Sequence, residues 1–136
     1  MRLIRAGTFL VAILASPLSA AAYSDSEISE MLLGSWDTAP DSADAKSDTI
    51  SLEVFHNDGT YTVDVYSDRI CGTLIGSFKA TWKIKDGALI SVDQRDGRII
   101  MDEIAKINPM AMTLHSLDDG TVNTRVRVPT CDGSEN

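Results

Sequence analysis

From position 49 onward the chain alternates apolar and polar residues with a period of two, in Ile50-Ser51-Leu52-Glu53-Val54, Tyr61-Thr62-Val63-Asp64-Val65 and Phe78-Lys79-Ala80-Thr81-Trp82-Lys83-Ile84-Lys85. This is the pattern of half-buried antiparallel strands, with one face on a core and Lys79, Lys83 and Lys85 in water. Asp58-Gly59, Asp86-Gly87, Asp96-Gly97 and Asp119-Gly120 separate the runs. Asp-Gly favours tight hairpins because both turn positions can require positive φ. Nearer the N-terminus the period changes. Ser24-Asp25-Ser26-Glu27 can cap a helix, and Ile28, Met31 and Leu32 recur at the spacing that puts them on one helical face. A short amphipathic helix is expected there, followed by Leu33-Gly34-Ser35-Trp36 and a polar loop from 38 to 48.

Eight strands are predicted, at 34–38, 49–56, 60–67, 73–85, 88–94, 98–107, 111–117 and 121–128. Every connection after the first is short. Consecutive hairpins make a meander, and eight strands in a meander most economically close on themselves, which removes both sheet edges. The expected fold is all-β: a small eight-stranded antiparallel up-and-down barrel with a short N-terminal helix. Gly72 and Gly76 mark candidate bulges or bends near the start of the long strand. A barrel of this size is either filled by side chains or holds one small ligand.

The first 22 residues change the picture. Arg2 and Arg5, an apolar stretch from Phe9 through Leu14, Pro17 and the small residues of Ser19-Ala20-Ala21-Ala22 follow the order of a secretory signal peptide. Residues 1–22 are therefore expected to be removed, leaving one domain, 23–136. The apolar stretch is shorter than the roughly 20 residues a membrane-spanning helix needs, so no membrane insertion is expected after cleavage. The expected location is periplasmic or secreted. Loss of Arg2 and Arg5 takes the formal charge from −8 to −10. That charge argues against nucleic acid and anionic membrane surfaces as partners. Cys71 and Cys131, the only cysteines, are an even pair in an exported chain and are expected to form one disulfide. Their separation lacks the C-x-x-C spacing of redox and metal sites.

Three stretches in order resemble the bacterial lipocalin-like domains of the calycin group: Leu33-Gly34-Ser35-Trp36 after a short helix, Val54-Phe55-His56-Asn57-Asp58-Gly59-Thr60-Tyr61, and Gly76-Ser77-Phe78-Lys79-Ala80-Thr81-Trp82-Lys83-Ile84 leading into Asp86-Gly87-Ala88-Leu89. The resemblance implies that Gly34 and Trp36 close one end of the barrel. It also implies that a basic residue of the last strand, Arg125 or Arg127, rests over the indole, a cation–π contact worth about 0.5–2 kcal/mol. The matching interior candidates for ligand contact are Tyr61, Val63, Phe78, Trp82, Ile90 and Met112.

Catalytic and metal-binding patterns are sparse. His56 and His115 are the only histidines and lack zinc-ligand spacing. Asp37, Asp41, Asp44 and Asp48 crowd one loop without the calcium-loop pattern. Asp102 and Glu103 are adjacent on a strand and so point to opposite faces. No catalytic residue, metal or cofactor is expected, and the chain is not expected to be an enzyme. The expected function is that of an exported lipocalin-like protein binding a small apolar ligand. The alternative is an interaction module for an extracytoplasmic protein, such as a protease or lysozyme inhibitor, with 23–32 as the inserted segment.

Overall fold

The computed structural model describes residues 18–45 and 48–131. Residues 1–17, most of the expected signal peptide, and 132–136, the end of the expected C-terminal tail, lie outside that range. Among the described residues the elements run β1 (Leu18–Ser19), a short 3-10 turn (Ala20–Ala22), α1 (Asp25–Leu32), β2 (Gly34–Thr38), β3 (Ile50–Phe55), β4 (Thr60–Tyr66), β5 (Leu74–Lys85), β6 (Ala88–Asp93), β7 (Ile99–Ile107), β8 (Ala111–Ser116) and β9 (Val122–Arg127).

Strands β2 to β9 pair in chain order, all antiparallel, and β9 returns to β2 with Trp36 opposite Arg127 and Thr38 opposite Arg125. The result is a closed up-and-down barrel of eight strands, as the alternation predicts. Asp86 and Gly87 both take positive φ, 52° and 76°, the geometry of the tightest hairpin turn. At the other three Asp-Gly pairs only the glycine does. The expected irregularity near Gly76 is a bulge. Val65 pairs with Gly76 and Tyr66 with Leu74, leaving Ile75 as the extra residue. Gly72 instead lies in the loop before β5, where Asp68 accepts hydrogen bonds from the Ile70 and Gly72 amides.

Helix α1 plugs one end. Its start is fixed by a capping box in which the Ser24 hydroxyl accepts from the Glu27 amide and the Glu27 carboxylate accepts from the Ser24 amide. Asp25 accepts hydrogen bonds from the Asp86 and Gly87 amides, at 2.8 and 3.0 Å, tying the helix to the β5–β6 turn. Ile28 and Leu32, one turn apart, are fully buried beside Trp36, Phe55, Ile104 and Ile107. Each side chain of this size contributes about 1.5–3 kcal/mol when removed from water. The segment 23–32 is thus part of the core and is not a free inserting arm. The last residues of the expected leader also pack on the barrel: Leu18 and Ser19 pair with Ile107 and Lys106, and Ala20 is buried.

Arg127 completes the closed end. Its guanidinium lies 4.3 Å from the Trp36 ring centre and donates to the carbonyls of Met31, Leu33 and Pro109, two of them at the C-terminal end of α1. The indole of Trp36 donates to the Leu32 carbonyl at 2.8 Å. Gly34, at φ 109°, takes a conformation that side-chain-bearing residues rarely adopt as the chain leaves the helix. Of the two arginines the sequence offered for this role, Arg127 fills it. Arg125, two residues earlier on the same face, projects into the barrel interior. Cys71 and Cys131 are disulfide-bonded with their Cα atoms 5.6 Å apart. The bridge ties the β4–β5 loop to the chain after β9. No helix among the described residues is long and apolar enough to cross a membrane.

Candidate functional site

The inner face of the barrel follows from strand registers. Glu53 is opposite Trp36 and Val63, Phe55 opposite Tyr61, Leu89 opposite Asp102, and Met112 opposite Arg125. Residues two apart on each strand share that face. A cavity of about 510 Å³ lies inside, between the plug and the loops at the other end. Its floor is apolar, formed by Phe55, Leu89, Met112 and Leu114. Glu53, Tyr61, Asp102, Asn123 and Arg125 line its middle, and Arg98, Asp118, Asp119 and Thr121 its rim. An annex of about 280 Å³ shares Asp44, Glu53 and Arg125 with it and adds Asp37, Val63 and Arg69.

Arg125 organises the polar middle. It is 7% exposed and donates from Nε to Glu53 and from Nη2 to Asp44, the latter at 2.7 Å, with Nη1 on the second Asp44 oxygen at 3.0 Å. The Tyr61 hydroxyl donates to the other Glu53 oxygen, and the Ser42 hydroxyl to Asp44. Ser42 in turn accepts from the Thr124 amide, fastening the loop after β2 to β9. A guanidinium held by two carboxylates is the arrangement that makes a buried charge tolerable. Burial disfavours the charged form of Arg125, but Glu53 and Asp44 outweigh it and hold the side chain still more firmly protonated. Burial likewise pushes Asp44 up, while hydrogen bonds from Arg125 and Ser42 bring it below the usual carboxylate range. Tyr61 is pushed well above its usual value by burial and by the Glu53 charge.

Asp102 stands apart from that network. It projects inward, and its neighbour Glu103 faces solvent, as expected for adjacent strand residues. Its carboxyl is pushed up to about 6, first by burial and then by Glu53. Arg125 offsets part of this, and Asp118 and Asp119 add to it. No hydrogen bond or ion pair among the described residues engages its side chain.

The expected interior residues are distributed unevenly. Tyr61 and Met112 line the main cavity; Val63 lines the annex and, with Tyr61 and Phe78, a recess near the rim. Phe78 is 39% exposed and lies under the Arg95 guanidinium, 4.5 Å from its ring centre. Trp82 packs edge-on to Phe55 at 5.4 Å and donates to the His56 carbonyl, so it belongs to the closed end rather than the cavity lining. Ile90 corrects the expectation: Leu89 and Ser91 point inward, so Ile90, between Lys83 and Met101 on the flanking strands, lies on the outer face. Of the aspartates considered for calcium, Asp37 is paired with Arg69 at 2.7 Å and Asp44 with Arg125. No group of three metal-ligating side chains occurs among the described residues.

Sequence reasoning missed Glu53, Asp102 and Asn123 as lining residues and gave Arg125 another role. Val63, expected inside, was the available signal: it lies directly opposite Glu53 and carries it inward.

No known family model, curated protein or solved structure matches the chain.

Proposed function

We propose that this protein is an exported lipocalin-like binding barrel that holds one small ligand in the cup above α1, without catalysing its conversion. The observation that carries the reading is the cavity of about 510 Å³ inside a barrel plugged at one end. That volume falls within the range of roughly 300–1,000 Å³ that small-molecule sites occupy. The arrangement of Gly34, Trp36 and Arg127 supports the lipocalin-like assignment, and the disulfide supports an oxidising, extracytoplasmic location. The ordered polar middle, fixed by Arg125, favours an amphipathic ligand over the wholly apolar one expected from the sequence. Native mass spectrometry on the protein captured gently from its own compartment tests the reading. The expected result is an added mass on the order of a few hundred daltons, as for ligands that fill such sites. Captured protein that carries no such mass, and binds none from a metabolite extract, overturns it.

A second reading, an interaction module such as a protease or lysozyme inhibitor, is favoured by one surface. Ile70, 86% exposed, stands with the exposed Leu74 and Ile75 next to the disulfide-pinned loop. Clustered exposed apolar residues mark contact surfaces. An added mass of protein size would favour it.

A further inference from the structure

Inside the barrel, the carboxylates are not all matched by the protein's own cations. Glu53 takes Arg125 on one oxygen and Tyr61 on the other, and Asp44 takes Arg125 and Ser42. The Arg125 and Tyr61 donors are thereby engaged. Three acceptors are left over. Asp102 has no hydrogen-bond partner for its carboxylate among the described residues. Asn123 Oδ1 also receives no donor, but it is enclosed in protein and does not open onto the cavity. In the annex Asp37, only 3% exposed, gives one oxygen to Arg69 and leaves Oδ1 without a donor. The charges lean the same way: Asp44, Glu53, Asp102, Asp118 and Asp119 line the main cavity against Arg98 and Arg125. Arg98, at the rim, forms no ion pair among the described residues.

We propose that the ligand is a small amphipathic cation, a primary ammonium on an apolar body, with its charged head at Asp102 and its body on Leu89, Met112 and Leu114. This rests on the ligand-binding reading above and names the ligand's class. An alkylammonium brings three donors and no acceptor, which suits a carboxylate that no side chain of the protein engages. Its charge meets the one carboxylate in the middle that no protein cation holds. Its apolar part covers the floor formed by Leu89, Met112 and Leu114. Asp102 binds the head in its ionised form, and Glu53, Arg125, Asp118 and Asp119 are the charged groups that face it.

The test uses three probes of one chain length, n-octylamine, n-octanol and n-octanoate, with the purified protein carrying 13C-methyl methionine. The Met112 methyl signal on the cavity floor reports occupancy, and titration gives affinity. Octylamine should bind about tenfold or more tightly than octanol, the advantage of a charge-assisted hydrogen bond, and octanoate more weakly than either. Asp102→Asn should bring octylamine down to the octanol level and leave octanol unchanged. Glu103→Gln, on the same strand but facing solvent, should alter neither. Equal binding of octanol and octylamine, or a preference that survives Asp102→Asn, overturns the cationic class while leaving a binding barrel. If none of the three moves the Met112 signal, the cationic class falls, and the native mass measurement alone decides whether the barrel binds a ligand.

Discussion

Asp102→Asn is expected to make the protein more stable at pH 8 and to change little at pH 4. The carboxyl titrates near 3.8 in an unfolded chain and is pushed up to about 6 in the barrel, chiefly by burial and the Glu53 charge. A folded value above the unfolded one means that the folded state favours the protonated acid. The stability this contributes is complete below pH 3.8 and is lost as the pH rises through about 6. Above that, the protein carries an ionised carboxylate the barrel disfavours. Two units at roughly 1.4 kcal/mol each give about 3 kcal/mol for a fully enclosed group. The cavity opens toward solvent, and screening reduces the expected gain to about 1–2 kcal/mol. Urea unfolding followed by the fluorescence of Trp36 and Trp82, with both proteins at both pH values, measures the difference directly. Titrating groups remote from Asp102 affect both proteins alike and cancel, and relief of the Glu53 charge in the variant acts in the same direction as the expected gain. A variant less stable at pH 8, or a gain of the same size at pH 4, would refute the placement of Asp102 in the interior.

Arg125→Ala should destabilise by about 3–5 kcal/mol, because Glu53 and Asp44 lose the cation that compensates them; urea midpoints measure it. Arg127→Ala should cost about 2 kcal/mol through loss of the contact over Trp36 and the bonds to the Met31 and Leu33 carbonyls, and should shift Trp36 emission to the red. Reducing the Cys71–Cys131 bridge, which spans 60 residues, should lower unfolding free energy by about 4 kcal/mol if the chain-entropy account holds, read from urea curves with and without reductant.

The barrel was legible because strand period and Asp-Gly turns are local signals. Each of the eight expected strands is present with its ends shifted by a residue or so. The cavity lining was not, and β3 shows why. Its alternation suggested that Ile50, Leu52 and Val54 face the interior, whereas the registers put Ser51, Glu53 and Phe55 there. Ile50, Leu52 and Val54 are still buried, but on the outer face. A charged residue such as Glu53 becomes tolerable inside only through Arg125, 72 positions away in sequence, and nothing within one strand announces that partner. Ile90 failed for a related reason: in Leu89-Ile90-Ser91 the apolar character does not alternate, and the register set by Trp82 and Ser91 decided the face. The closed end was read through Gly34 and Trp36, and the choice between Arg125 and Arg127 came down to which one lies directly opposite Trp36.

The bonds from Arg127 to the end of α1 join residues 94 and 96 positions apart. The floor of the cup is therefore finished by the final strand, since the helix that forms it leaves two carbonyls uncapped until β9 arrives. The same strand supplies the β2 pairing that closes the ring and Arg125, which neutralises Glu53. Contacts this distant in sequence slow folding, because a long loop must be ordered before any of them forms. A chain emerging from its N-terminus during synthesis can make hairpins as it goes but neither floor nor closed wall until almost all of it is out. Folding is thereby postponed until almost the whole chain is available, and a truncation before Arg127 should yield hairpins without a barrel.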